Sequence, residues 1–234
     1  MNRNDPNVVL LELVADRLEA RLRERLVFVG GAVAGLLITD PAAPAIRPTE
    51  DVDLVARVAA LPGFHAIEHE LAELGFAHDV RSGAPICRWR IDGVAVDVMP
   101  TDESILGFSN RWYPLAVETA ERVALPSGLK ICLLQAPVFI ATKLEAFAGR
   151  GNSDFLLSHD LGDLVAVVDG RDSLIAECQT VDVSLKAYLG EQFSHLLQAG
   201  AFMDALPGHL PGDQASQDRL PDLEGKLQAL AGLR

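Results

Sequence analysis

Asp51 and Asp53 stand two residues apart in Asp51-Val52-Asp53-Leu54-Val55, where apolar and polar residues alternate. That period-two pattern predicts a β-strand, with both carboxylates on one face and Val52 and Leu54 on the other. A third acid, Asp97, lies inside the apolar run Val94–Met99. A bare carboxylate is costly to bury there unless it is paired or bound to a cation. If the two strands are neighbours, three carboxylates converge. An oxygen-only set of that kind suits Mg²⁺ or Mn²⁺. Two such ions, about 3.5–4 Å apart, could be shared by the cluster, one activating an attacking oxygen and one clamping a phosphate chain. Carboxylates crowded in this way repel one another without a cation. Replacing Asp51 or Asp97 by Asn is therefore expected to abolish activity while leaving the melting temperature unchanged or raised.

Gly30-Gly31 supplies a complementary part. The pair follows the apolar run Leu26-Val27-Phe28-Val29 and opens a segment read as a helix. Bare backbone N–H groups and a positive helix end would then face outward and suit terminal phosphates. Arg47 and Thr49, just before the aspartates, could add phosphate contacts. Each feature alone has a plainer reading: a glycine turn, a solvated strand face, a satisfied core acid. The ordered set is more specific, because each part has a place in one mechanism.

The elements that must position these residues follow from patterning. Asp5 caps a helix with Pro6 at its first position, and apolar residues at helical spacing carry it to about Arg25. A strand over Leu26–Val29 precedes the glycines. A packed helix is predicted over Ala32–Ile38 and a Pro/Ala loop over Asp40–Pro48. After the Asp51 strand, Pro62–Leu74 reads as an amphipathic helix burying Phe64, Ile67, Leu71 and Leu74, with Gly75 as its stop. Ile86–Ile91 and Val94–Met99 pair around Asp92-Gly93, a type I′ hairpin turn. Another strand pair brackets Pro126-Ser127-Gly128. Helices are expected from Pro137 to Phe147, from the Ser158 cap to about Val168, weakly from Leu174 to Ala205, and over Leu223–Leu233. The outcome is an α+β region over about 1–133 followed by a helical region over 134–234 that packs on it.

Composition narrows the function classes. The chain has 234 residues, 49% of them hydrophobic, so it can bury a core. Its 33 acidic against 20 basic residues give a net charge of −13, which excludes a broad basic nucleic-acid face. No apolar run reaches the ~20 residues needed to span a bilayer. The acidic N-terminal stretch is wrong for a signal peptide. Three scattered cysteines, Cys87, Cys132 and Cys178, give no disulfide framework. A cytoplasmic protein is expected, with these thiols as small core residues.

Val27-Phe28-Val29-Gly30-Gly31, Arg47-x-Thr49-x-Asp51-Val52-Asp53-Leu54 and Val96-Asp97-Val98 resemble the nucleotidyltransferases of the DNA polymerase β superfamily. A later stretch, Ala141-Thr142-Lys143-Leu144-Glu145-Ala146-Phe147 through Arg150-Gly151 and then Ser158-His159-Asp160-Leu161-Gly162-Asp163-Leu164, resembles the AbiEii/AbiGii toxin-type members. The resemblance covers about residues 26–171. It implies a minimal nucleotidyltransferase fold, a mixed twisted sheet with flanking helices. It implies that a nucleoside monophosphate passes from an NTP to an acceptor hydroxyl, on RNA (notably a tRNA 3′ end) or on a protein. Asp51 and Asp53 would bind the metal–triphosphate, and Asp97 would hold a second metal and assist deprotonation. Lys143 would touch the triphosphate, with Asp163 and less firmly Asp160 near it. An antitoxin partner is implied too. The stretch from Gly31 to Asp51, with Pro41 and Pro44, is longer than the pattern and would reshape the nucleotide pocket.

Other readings stay open at this point. Lys143 on an amphipathic helix could be solvated. Asp160, just past the Ser158 cap, could simply favour the helix N-terminus. Asp163, among Leu161, Leu164, Val165 and Val168, is harder to place at the surface. His65-x-x-Glu68-His69 matches an inverted zinc-peptidase pattern, but its histidines lie off the apolar stripe and face solvent. Trp89, Trp112 and Tyr113 fit core packing better than base stacking. The rival function is a non-catalytic nucleotide-binding regulatory module of the same fold.

Overall fold

A computed structural model, which describes residues 3–58, 60–150 and 154–234, places seven strands in one mixed sheet. Gly151, quoted above beside Arg150, lies outside the described residues. The strands are β1 (Leu26–Val29), β2 (Asp51–Ala56), β3 (Ala77–His78), β4 (Arg88–Ile91), β5 (Val94–Pro100), β6 (Glu121–Ala124) and β7 (Lys130–Leu133). Their order is β3-β4-β5-β2-β1-β7-β6. β2 runs parallel to β5 and antiparallel to β1, and β1 runs parallel to β7. The architecture is α+β.

The β4–β5 hairpin turns on Asp92 and Gly93 at φ 47° and 86°, the two positive values that a type I′ turn requires. β1 is buried throughout, and Val52 and Leu54 enter the core while Asp51 and Asp53 stay half-exposed on the opposite face. Helix Leu61–Glu73 buries Phe64, Ile67 and Leu71, and Gly75 follows it at φ 88°.

Two expected helices differ. The first breaks at Leu18 into Pro6–Arg17 and Glu19–Arg23. Glu19 takes φ 51° at the break, and Arg23 donates back to the carbonyl of Ala15 and across to that of Lys130. The predicted helix over Ala32–Ile38 is a 3₁₀ turn, Gly31–Val33, and one α-turn, Ala34–Leu37. The Leu37 carbonyl goes to Arg171 instead of continuing the helix, and the amides of Thr39 and Asp40 both donate to the Gly170 carbonyl. The short strand β3 and the helices Glu103–Leu106 and Tyr113–Thr119 carry no pattern long enough to announce them.

The chain divides into two compact units, Met1–Gly35 with Arg47–Gln135, and Leu36–Ile46 with Ala136–Arg234. The first holds the sheet. The second is helical, with Ala136–Arg150 packed on His159–Gly170 and Val183–Gln198 packed on Leu220–Ala231. The periodic stretch 174–205 resolves into three helices, Leu174–Thr180, Val183–Gln198 and Gly200–Ala205. Helix His159–Gly170 extends two residues past the expected Val168 and ends on a glycine, where a Cβ would sit 2.8 Å from Ile38 Cγ2. Among the described residues no helix is long and apolar enough to cross a membrane. Cys87, Cys132 and Cys178 are buried free thiols, and burial pushes Cys87 and Cys178 up to about 12.

Candidate active site

The site begins with strand register. Val29 on β1 pairs with Asp53 on β2, Asp53 pairs with Asp97 on β5, and Asp97 pairs with Arg88 on β4. One row across four strands therefore carries two of the three carboxylates and an arginine. Paired residues on neighbouring strands share a face. Asp51, two residues before Asp53, lies on that face as well.

Arg88 joins the acids. Its Nε donates to Asp97 Oδ1 and its Nη2 to Asp97 Oδ2, both at 2.7 Å. The same Nη2 donates to Asp51 Oδ2 at 2.7 Å. A planar guanidinium matches a carboxylate in this two-bond geometry. The hydrogen bonds to Asp97 foremost, opposed by burial and aided by the charges of Asp97, Asp51 and Asp53, raise Arg88 above its ordinary value. It stays a cation at every working pH.

This arrangement corrects one expectation. Asp51 and Asp97 do not face each other as an uncompensated pair, because a fixed positive charge lies between them. Asp97 is only 8% exposed, so its buried charge is tied to that partner.

Asp53 meets the glycine turn directly. Gly30 has φ 73°, and a Cβ there would lie 2.6 Å from Asp53 Cγ and 2.7 Å from Asp53 Cβ. The turn tolerates neither an L-residue's usual backbone nor its side chain. Gly30 thus makes room for a carboxylate. The positive helix end expected at Gly31 is a 3₁₀ turn followed by one four-residue helix, too short to build a full macrodipole.

Asn7 is a site residue that sequence reading missed. It is 2% exposed on helix Pro6–Arg17. Its Oδ1 accepts from the Thr49 amide at 2.8 Å, and its Nδ2 donates to the Arg47 carbonyl at 3.0 Å. The Thr49 hydroxyl lies 3.2 Å from Asn7 Oδ1 and 3.3 Å from the Asp51 carbonyl, so two acceptors compete for its single proton. Asn7 clips residues 47–49 in place immediately before the aspartates. Arg88 could have been found from sequence: counting outward from the Asp92-Gly93 turn sets it opposite Asp97. Asn7 could not, because its partners lie about forty residues away.

Asp51, Asp53, Asp97, Gly30, Gly31, Arg47 and Thr49 belong to the first unit, and Lys143, Asp160 and Asp163 to the second. Lys143 is buried rather than solvated. Its Nζ donates to Asp163 Oδ2 at 2.7 Å and to Asp160 Oδ1 at 3.2 Å. Arg150 adds two bonds to Asp160, at 3.0 and 3.1 Å. Burial opposes the Asp160 charge, yet the Arg150 hydrogen bonds and the Lys143 and Arg150 charges outweigh it and hold Asp160 below the usual carboxylate range. Two cations and two anions make this group internally neutral.

His65 and His69 are well exposed, at 63% and 74% of their side chains, and pair with Glu68 and Glu73 on their own helix. Trp89 and Trp112 are buried, and Tyr113 donates to Met99 Sδ at 3.3 Å.

A divalent metal is the group these acids imply. In donor type alone they suit such an ion, being three oxygen-only carboxylates on one sheet face, with the Arg88 guanidinium seated between two of them. With Asp51 and Asp97 turned to Arg88, no group of three His, Cys, Asp or Glu side chains among the described residues converges on a common ion position. The chain matches no protein-family model and no curated protein.

Proposed function

We propose that the protein is a metal-dependent nucleotidyltransferase of the minimal nucleotidyltransferase fold, moving a nucleoside monophosphate from an NTP to an acceptor hydroxyl on RNA or protein. The observation that supports this most is the row Arg88–Asp97–Asp53 ending at Gly30. It sets two of the three acids in one row beside a bare glycine turn, with Asp51 two residues away on the same face.

Asp51, Asp53 and Asp97 are the residues that would hold Mg²⁺ or Mn²⁺, which supplies charge neutralisation on the phosphates and a more acidic acceptor hydroxyl. The chain's own residues do the rest. Gly30 leaves Asp53 its place, and Asn7 fixes the backbone of Arg47 and Thr49 beside the phosphate position. The acceptor oxygen bonds to the α-phosphorus as the bond to the bridging oxygen breaks. Pyrophosphate leaves with the electron pair, and Asp97 takes the hydroxyl proton. Placement and charge carry the rate, with no covalent protein intermediate. Lys143 and Asp163 enter this reading through the resemblance, as residues for nucleotide use. A protein antitoxin belongs to the same reading.

The test is incubation with each α-labelled NTP, Mg²⁺ and a total-RNA or lysate pool. Label should pass to a macromolecule, with one pyrophosphate released per transfer, and Asp53→Asn should abolish both. Metal-dependent NTP binding without transfer to any acceptor would instead identify a regulatory nucleotide-binding module.

A further inference from the structure

The proposed chemistry needs a positive charge between Asp51 and Asp97, and the chain already places one there. Arg88 comes from β4, the far strand of the Asp92-Gly93 hairpin, and its three bonds to the two acids are all 2.7 Å. Its side chain is 23% exposed, Asp97's 11% and Asp51's 36%. The group is open on the Asp51 side and closed on the Asp97 side.

From this geometry we infer that Arg88 is a built-in counter-cation, which holds the acids in the metal-free protein and which a divalent ion must displace to bind. This rests on the nucleotidyltransferase reading. Two consequences follow from charge alone. Metal binding without nucleotide exchanges one cation for another, so its net gain is small. Once displaced, the guanidinium has a natural acceptor in the phosphates of a triphosphate, which it can grip by two bonds as it gripped Asp97. The site is thereby biased toward loading metal and nucleotide together, and Arg88 acts as a positioning residue whose partner changes from carboxylate to phosphate.

The test titrates Mn²⁺ into the nucleotide-free protein and reads free Mn²⁺ by electron paramagnetic resonance. Arg88→Met removes the charge and keeps most of the side-chain volume. It should bind Mn²⁺ about tenfold more tightly or better than the wild type. A non-hydrolysable NTP analogue should tighten Mn²⁺ binding in the wild type and do so less in Arg88→Met. Because Arg88→Met can lose stability, a second measurement uses the intact chain: the Arg88 Nε–Hε resonance, assigned by its loss in Arg88→Lys, should shift on adding Mg²⁺ and shift again with the analogue. If Mn²⁺ binds and Asp53→Asn abolishes it, but Arg88→Met binds no more tightly and the resonance stays put, the counter-cation role is overturned and the nucleotidyltransferase reading stands. If neither the wild type nor Arg88→Met binds Mn²⁺ in an Asp53-dependent way, both fall.

Discussion

Arg88 and Asp97 are register partners across β4 and β5, and the guanidinium meets the carboxylate through two parallel bonds, Nε to Oδ1 and Nη2 to Oδ2. The sign of a mutational effect turns on this pair. Mutual repulsion among the acids would make Asp97→Asn neutral or stabilising. With Arg88 in place the substitution leaves a buried guanidinium short of its counter-charge and should cost about 1–3 kcal/mol. Asp51→Asn removes one more exposed bond and should cost under about 1 kcal/mol. Urea denaturation at neutral pH without metal checks both values, and a raised midpoint for Asp97→Asn would contradict the pairing.

Gly30→Ala should be destabilising for two separable reasons. The left-handed backbone costs an L-residue about 1–2 kcal/mol. The new methyl also overlaps Asp53. In an Asp53→Gly background only the backbone part remains. A double-mutant cycle should therefore show strong non-additivity, and an additive result would mean that glycine and carboxylate do not touch.

Lys143→Met should behave as a core substitution. It leaves Asp160 and Asp163 buried with one cation fewer, a loss of about 3–5 kcal/mol. Asp163→Asn in the same chain should restore part of it. A change within about 0.5 kcal/mol, as at an ordinary surface site, would return Lys143 to solvent.

The same cluster predicts a pH dependence. Asp160 titrates lower in the folded chain than in the unfolded one. Its stabilising contribution is complete above the ordinary carboxylate value of about 4. It is lost as pH falls through that value toward the lowered one. The urea midpoint should drop over this acid range more steeply for the wild type than for Asp160→Asn; parallel curves would mean that Asp160 has no special partner.

Asn7→Ala should release the segment before the aspartates. Amide exchange at Thr49, whose N–H is held by Asn7 Oδ1, should accelerate, while that of Val98, bonded to the Cys87 carbonyl, stays slow. Unchanged exchange at Thr49 would remove Asn7 from the site.

Legibility varied with the range of the interaction. Alternation and a two-residue turn are local, and they placed Asp51, Asp53 and the hairpin bearing Asp97. Arg88 lay one step beyond, in the hairpin's register. The Asn7 clip and the curtailed helix after Gly31 depend on partners far along the chain, Thr49 in one case and Gly170 with Arg171 in the other. Helical patterning carries no information about such partners, and tertiary hydrogen bonds overrode it. Lys143 shows the reverse: its helix is amphipathic, yet two acids one helix later draw its ammonium inward.

Residues 36–46, within the long stretch between Gly31 and Asp51, belong to the helical unit. Thr39 and Asp40 bond to Gly170, and Arg219 bridges Asp40 and Asp169. A protease or an engineer dividing the chain after Gln135 would therefore obtain no pair of complete halves. The amino-terminal fragment would keep residues 36–46 stripped of every one of those anchors, and the carboxy-terminal fragment would bear an open seam along Gly170 where that ribbon had lain. Separating the halves cleanly takes three breaks in the polypeptide, or a re-threaded order of segments.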